Sequence, residues 1–159
     1  HPQGYSSTVA GLTRAGSPTD IAVPGDAIAI ELSDDLDVGK GNVIVVDGAH
    51  QPVDATGLIA DMCWFTDAEL SVGDAIIVRH ASGEVSARVA AITHRLDLET
   101  LENTPTDRLV LNDIGRVELA LASTLVVDEY TVNRAGGSAI AIDPVTNATI
   151  GALMIRSGY

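Results

Sequence analysis

Short runs in which apolar and polar residues alternate recur along this chain, separated by turn-forming residues. The clearest run is residues 115–121, where Val117, Leu119 and Leu121 share one face and the residues between them share the other. Alternate side chains of a strand point to opposite faces, so each such run predicts a strand with one buried face. No segment shows a long helical pattern, and the chain is therefore predicted to be all-β.

The predicted strands are short and follow one another closely. They are residues 6–12, 27–32, 43–46, 58–65, 75–80, 84–93, 115–121, 138–142 and 149–155. The polar segment 95–108 is predicted to be a long connection with at most one helical turn. Many short strands joined by turns favour a closed antiparallel barrel, because closure removes exposed strand edges.

A cluster of turn-forming residues at 47–52 predicts a boundary between a first domain, residues 1–47, and a second, residues 48–159. A chain of 159 residues is long enough for one ordinary domain or two small ones. The apolar content is 46% but the aromatic content only 3%. The core must therefore be built mainly from Val, Ile, Leu and Ala.

The chain is strongly acidic, with a formal net charge of −13 and only 9 Lys and Arg residues. Nucleic-acid binding depends largely on clustered basic residues, so no nucleic-acid partner is expected. No apolar run approaches the roughly 18 residues of a membrane-spanning helix, so no membrane partner is expected either. Cys63 is the sole cysteine, which excludes an intrachain disulfide and favours a reducing, cytoplasmic location.

Motifs for nucleotide or metal binding are not found at the required spacing. Residues 39–41 read Gly-Lys-Gly but lack the spacing of a phosphate-binding loop. The four histidines are interpreted as structural or solvated, although His80 and His94 could be neighbours. The acidic residues 34–37 lack the calcium-loop pattern. We therefore expect no catalytic residue, metal or cofactor within these 159 residues.

Residues 133–137 form the first candidate site. Asn133 and Arg134 precede Gly136 and Gly137, and successive glycines after an arginine could direct backbone N–H groups at an anion such as sulfate or phosphate. The alternative is a turn that uses glycine for positive φ.

Asn112 and Asp113 form the second candidate site, between two apolar runs. Both residue types tolerate left-handed geometry and hydrogen-bond to nearby backbone, which makes them ordinary turn residues. Contact with a partner protein is the other interpretation.

These motifs, taken in order, resemble the large, GTP-binding subunit of bacterial sulfate adenylyltransferase, also called ATP sulfurylase. The matching segments are residues 4–9, 32–41, 111–119, 133–137 and 142–150, together with Trp64, Met154 and Ile155. The resemblance implies elongation-factor-Tu-like antiparallel β-barrels. Residues 48–159 would be the family's third domain, and residues 1–47 the C-terminal part of its second barrel.

The resemblance also implies a function. The family's large subunit carries a GTPase domain, which binds GTP and Mg²⁺, and partners a small catalytic subunit that makes adenylyl sulfate from ATP and sulfate. Some members continue into an adenylyl-sulfate kinase. The 159 residues contain neither domain, so they are expected to be an inactive scaffold of an enzyme subunit, held between its own GTPase domain and the small subunit.

Residues 1–47 are too short for a complete second barrel and should expose strand edges. Two arrangements are expected as alternatives: strand exchange in a homodimer, or packing of a small sheet against the third domain. Two other functions remain open. One is a translation-GTPase-type module that contacts tRNA or another protein, and the other is a free-standing barrel that binds small ligands.

Overall fold

A computed structural model of the protein describes residues 1–159, and its regular secondary structure consists entirely of strands. The strands are β1 (Val9–Arg14), β2 (Ser17–Pro18), β3 (Ile28–Leu32), β4 (Val53–Trp64), β5 (Leu70–Ser71), β6 (Ala75–His80), β7 (Gly83–Leu96), β8 (Asn103–Thr104), β9 (Arg108–Leu109), β10 (Ile114–Val127), β11 (Ser138–Ile142) and β12 (Thr149–Gly158). The structure has no helix long and apolar enough to cross a membrane. The prediction of an all-β chain is confirmed.

Contacts within the chain define two compact units, Gln3–Gly39 and His1–Pro2 together with Lys40–Tyr159. In the smaller unit, β1 pairs with β2 on one side and with β3 on the other, both antiparallel. Residues 40–47 fall in the larger unit, whereas the sequence pattern assigns them to the first domain. The division into homologous domains after residue 47 stays a prediction.

The larger unit contains a closed antiparallel barrel of six strands. Its strands follow the order β10, β4, β12, β11, β6 and β7, and β7 pairs with β10 to complete the ring. The short strand β8 pairs antiparallel with the C-terminal end of β7. β5 and β9 pair with each other as a separate two-stranded sheet. The predicted closed barrel is confirmed, and its closure leaves no unpaired edge within the ring.

Every second side chain of the strands points into the barrel and fills its interior. In β7, Val85, Ala87 and Val89 are buried while the residues between them are exposed. The inner faces of the strands meet in an aliphatic core. Its largest fully buried side chains include Leu58, Met62, Ile76, Leu119, Leu153 and Ile155. Burying one such side chain contributes about 1.5–3 kcal/mol relative to leaving it exposed.

The prediction that residues 43–46 form a core strand is wrong. Val43 exchanges backbone hydrogen bonds of 2.9 and 3.1 Å with His1, but no strand pairs with this segment. Ile44 and Val46 are 56% and 75% exposed. An apolar run becomes a core strand only where neighbouring strands satisfy its backbone and cover its side chains.

The connection predicted at residues 95–108 has a more regular structure than expected. β7 continues to Leu96, and β8 and β9 lie within the remainder. One isolated helical turn is closed by the hydrogen bond from the Leu101 amide to the Asp97 carbonyl, 2.8 Å. The single helical turn agrees with the prediction, whereas the short strands were missed because each has only two residues.

Candidate functional site

The six predicted site residues lie at the two ends of β10. Asn112 and Asp113 precede the strand, and Asn133, Arg134, Gly136 and Gly137 lie in the loop that follows it. The two ends of β10 pair with opposite ends of β4, because Ile114 lies opposite Cys63 and Val127 lies opposite Val53. The structure therefore brings four of the six residues together and separates the other two from them.

Backbone hydrogen bonds hold the turn before β10. The Asn112 amide donates to the Trp64 carbonyl at 3.0 Å, and the Trp64 amide donates to the Asp113 carbonyl at 2.9 Å. Asn112 has a φ of 67°, a left-handed conformation that asparagine tolerates better than most residues. This turn therefore continues the backbone pairing of β4 beyond the end of the strand.

The side-chain carboxylate of Asp113 stabilises the same turn. It accepts a hydrogen bond from the Val110 amide at 2.9 Å and lies 3.5 Å from an Arg95 nitrogen. The turn-residue interpretation accounts for Asn112 through its left-handed φ and for Asp113 through its carboxylate. Asn112 remains exposed at the barrel surface, so the partner contact stays a prediction.

Asp128 is the centre of the loop after β10, residues 128–137. Its carboxylate accepts hydrogen bonds from the Asn133 side-chain amide at 2.7 Å and from His50 Nε2 at 2.9 Å. Its backbone amide donates to the Gly136 carbonyl at 2.8 Å. Arg134 lies over the Tyr130 ring, with its guanidinium carbon 5.8 Å from the ring centroid. These contacts hold the loop in one compact conformation.

Gly136 and Gly137 are required by close contacts, not by positive φ, since neither has a φ in the left-handed region. A Cβ on Gly136 would collide with the Asp128 carboxylate. A Cβ on Gly137 would collide with the backbone of Tyr130. Anion binding by these glycine amides stays a prediction, and an incoming anion would have to compete with the Asp128 carboxylate.

His80 is a residue of this end of the barrel that the sequence reasoning did not assign to a site. It is 8% exposed, and its Nδ1 accepts a hydrogen bond from the Ser82 amide at 3.1 Å. Nε2 must then carry the proton, and it donates to the Gly136 carbonyl at 2.8 Å. Neutral His80 thus links β6 to the loop.

The environment of His80 favours this neutral form. Burial lowers the pKa of the His80 imidazole, and this effect outweighs the hydrogen bond to the Gly136 carbonyl and the charge of Asp128, both of which raise it. The alternation of β6 could have identified the residue, because Ile76, Val78 and His80 share the inner face. His94 is not its neighbour, since it lies opposite Arg116 on another part of the barrel.

A cavity of about 380 Å³ lies beside the same loop. Its lining includes the polar residues His80, Ser82, Asp128 and Asn133, together with residues 41–44. The imidazole and the Asp128 carboxylate are already hydrogen-bonded to protein groups. The arrangement therefore fits a structural contact region better than an acid–base site, because neither group is free to take or give a proton to a ligand.

The family model described as "GTP-eEF1A C-terminal domain-like" matches residues 57–156, which lie within the larger unit. Two solved structures of Sup35, complexed with GDP and with GMPPNP, have TM-scores of 0.80 and 0.82 to this chain. They are 17% identical to it, cover 95% and 99% of it, and are themselves covered over 37% and 39%. At 17% sequence identity, this similarity shows only that the fold is shared.

Three similar proteins have more specific names. Sulfate adenylyltransferase subunit 1 of Laribacter hongkongensis is 36% identical over 98% of this chain, and that of Aeromonas hydrophila is 35% identical over 99%. The bifunctional enzyme CysN/CysC of Mycobacterium tuberculosis is 36% identical over 97%. The chain covers 32%, 33% and 25% of these three proteins, so it spans a third of their length or less. With the barrel and the family match together, this chain belongs to the GTP-eEF1A C-terminal domain-like family.

Proposed function

We propose that this chain is the β-barrel region of the GTP-binding subunit of a sulfate adenylyltransferase. It would act as a non-catalytic scaffold in the GTP-coupled synthesis of adenylyl sulfate from ATP and sulfate. The observation that carries the proposal is similarity over 97–99% of the chain to proteins named for that activity. The 159 residues themselves would make or break no bond.

The partners in this proposal are the small catalytic subunit and a GTPase domain outside these residues. GTP and Mg²⁺ would bind that domain, and the assembly would work in the cytoplasm. The rigid turn at Asn112 and the compact loop at Asp128 support a scaffold, because hydrogen-bonded surface segments keep their shape when domains rotate as rigid bodies. The predicted contact residues lie in these two segments.

Co-purification tests the proposal. The tagged chain should retain the small subunit of a sulfate adenylyltransferase on a column, and the chain alone should hydrolyse no GTP. Arg134→Ala and Asn112→Gly change exposed side chains, and the latter keeps a residue that tolerates positive φ. Weaker retention with either variant would locate the contact, whereas no retention of the small subunit, or GTPase activity from this chain alone, would contradict the proposal.

A translation-GTPase-type module that contacts tRNA or another protein is the second candidate. The fold similarity to Sup35, with a TM-score of 0.82, is the observation that favours it. The net charge of −13 opposes a tRNA contact, since such a surface repels a polyanion. Filter binding with tRNA at low salt separates the two candidates, and retention of tRNA would favour the second.

A strand-exchanged homodimer of this chain is a proposal for the smaller unit. Val9, Ile21 and Val23 are 51%, 71% and 56% exposed, and the sheet has only three strands. Sheets this small are marginally stable without further packing. Light scattering across a concentration series checks it: a rising mass supports exchange, and a constant monomer mass rules it out.

A further inference from the structure

An ion-pair network crosses the outer face of the barrel three residues along the chain from Asp113, and it includes none of the six predicted site residues. Asp61 in β4 lies directly opposite Arg116 in β10, and Arg156 comes from β12 on the other side. Arg116 Nε donates to Asp61 Oδ1 at 2.8 Å, and Arg156 Nε donates to Asp61 Oδ2 at 2.6 Å. Two guanidinium groups thus converge on one carboxylate, which leaves one positive charge in excess.

Irregular strand pairing surrounds this network. The β12–β4 register shifts between Ile155 and Ser157, so Arg156 lies at the irregularity. The β10–β7 register also shifts, between Arg116 and Val117, next to the pairing of Arg116 with His94. β-Bulges redirect side chains and are over-represented near functional sites. The extra residue of the first irregularity is Arg156 itself, and that of the second is Thr93 in β7, next to His94.

Asp61 uses only part of the hydrogen-bonding capacity of the two arginines. A guanidinium group has five N–H donors. The carboxylate engages Nε of Arg116, and Nε and Nη2 of Arg156. The side chains of Arg116 and Arg156 are 34% and 42% exposed. One carboxylate cannot engage all the N–H donors of two guanidinium groups, so unused donors are within reach of a ligand.

Asp61 is held ionised, which fixes the two guanidinium groups. Burial acts to raise the pKa of the Asp61 carboxyl, but the hydrogen bonds and charges of Arg116 and Arg156 outweigh it, so the pKa is lowered. The side chain of Asp61 is 15% exposed, whereas that of Arg156 is 42% exposed. The carboxylate is therefore the inner member of the network and the guanidinium groups are the outer members.

A cavity of about 190 Å³ adjoins the network, and His94, Asn103 and Gly115 also line it. A water molecule takes about 30 Å³ of liquid volume, so the cavity has room for several waters or for one small ion. Guanidinium groups match the oxygen geometry of phosphate-like anions better than any other side chain. The Asn103 amide and the His94 ring add groups that can donate hydrogen bonds.

We propose that Arg116 and Arg156 form a binding site for a tetrahedral oxyanion of the sulfate or phosphate type, with Asp61 as the positioning residue. The oxyanion is either free or carried by a small molecule. The site stands independently of the proposed scaffold function, because it rests on contacts within the barrel. Glu118, two residues from Arg116 on the same face of β10, forms no ion pair and weakens the local positive potential.

Side-chain NMR of the whole chain tests the site. Sodium sulfate, sodium phosphate and AMP are titrated separately at constant ionic strength, and the Nε–Hε resonances of the arginines are followed. Saturable shifts are expected for Arg116 and Arg156 but not for Arg79, whose ion pair with Glu84 lies elsewhere on the barrel. Tighter binding of AMP than of inorganic phosphate would identify a carried oxyanion.

Four substitutions, one of them a control, sharpen this test. Arg116→Gln and Arg156→Gln should each weaken binding at least about tenfold, as expected for loss of a charge-assisted hydrogen bond. Glu118→Gln should strengthen binding, a result that a purely structural ion pair would not produce. Arg79→Gln is the matched control and should bind like the unaltered chain.

Two outcomes would overturn the proposal. The first is a titration in which the Nε–Hε shifts of Arg116 and Arg156 do not saturate, or in which Arg79 shifts equally. Either result would indicate ionic screening only. The second is unchanged affinity in Arg116→Gln. If that variant does not fold, Arg116→Lys keeps the charge but loses the planar fork, and its binding should still be measurably weaker.

Discussion

At the scale of single residues, contacts at close range decide what each position tolerates. Gly137 has no room for a side chain, because a Cβ there would meet the Tyr130 backbone, which has no flexible end to move aside. Gly83, at the start of β7, has only Leu125 Cδ1 at 3.8 Å from the same position. The two glycines look alike in the sequence and differ only in their surroundings.

Gly137→Ala should therefore lower the free energy of unfolding by about 1–3 kcal/mol, the usual cost of overpacking. Gly83→Ala is the matched control and should change it little. Urea denaturation followed by Trp64 fluorescence measures both variants. Equal stabilities for the two would contradict the close contact between Gly137 and Tyr130.

His80 should make stability depend on pH. The pKa of its imidazole is lowered in the folded state from about 6.5, so the unfolded chain binds the proton more readily. The stabilisation is fully present above that unfolded value and is lost as the pH falls below it toward the folded pKa.

His80→Gln tests this dependence, because glutamine can still donate to the Gly136 carbonyl but does not titrate. Unfolding free energies of both proteins are compared from about pH 7.5 to about pH 5.5, and the unaltered chain should lose more stability over that range. Subtracting one pH profile from the other cancels the contributions of other titrating groups to the unfolding free energy. One such group is His1, whose pKa is raised by its hydrogen bond to Gln51. Parallel pH profiles would exclude His80 as the source.

At the scale of elements, the number of paired neighbours decides how firmly a strand is held. β4 is hydrogen-bonded to β10 and β12, and β10 is hydrogen-bonded to β4 and β7. β8 has two residues and pairs only with β7. Residues 43–46 have no strand partner at all.

Amide hydrogen exchange should follow this order. The slowest exchange is expected at the inner positions of β4 and β10, because their amides open only when the barrel opens. Fast exchange is expected in β8 and at residues 44–46. If the amides of β8 exchanged as slowly as those of β4, a group other than β7 would have to protect β8.

At the scale of the whole molecule, the two compact units differ in how much core each can bury. The larger unit has an aliphatic core closed on all sides by strands, whereas the smaller has three strands and many exposed apolar side chains. Since hydrophobic burial supplies most of the stability of a fold, the smaller unit should unfold first.

Non-coincident unfolding curves would reveal this difference. Trp64, the sole tryptophan, is 3% exposed in the barrel, so its fluorescence reports that unit, while circular dichroism reports both. The dichroism signal should begin to change at lower urea than the fluorescence. Leu58→Ala, which should cost the barrel about 2–5 kcal/mol, should bring the two curves together. Coincident curves in the unaltered chain would mean that the units unfold as one.

The local pattern of the sequence determined the strands of the barrel, because period-two alternation is a property of neighbouring residues. Asn112 and Asp113 could also be identified as turn formers from local sequence, since Asn112 adopts a left-handed φ and the Asp113 carboxylate accepts a hydrogen bond from the nearby Val110 amide. Closure of the barrel was also predictable, because an open sheet of short strands would leave backbone groups unpaired at its edges.

Only the tertiary structure decided which residues meet across long separations in the chain. Residues 43–46 have the composition of a core strand but no partner strand, and Gly136 is glycine because Asp128 lies against it. Arg116 and Asp61 are separated by 55 positions in sequence and meet because β10 and β4 pair in one register. Strand register and packing depend on the whole chain at once, which is why alternation alone could predict the barrel but not the groups on its surface.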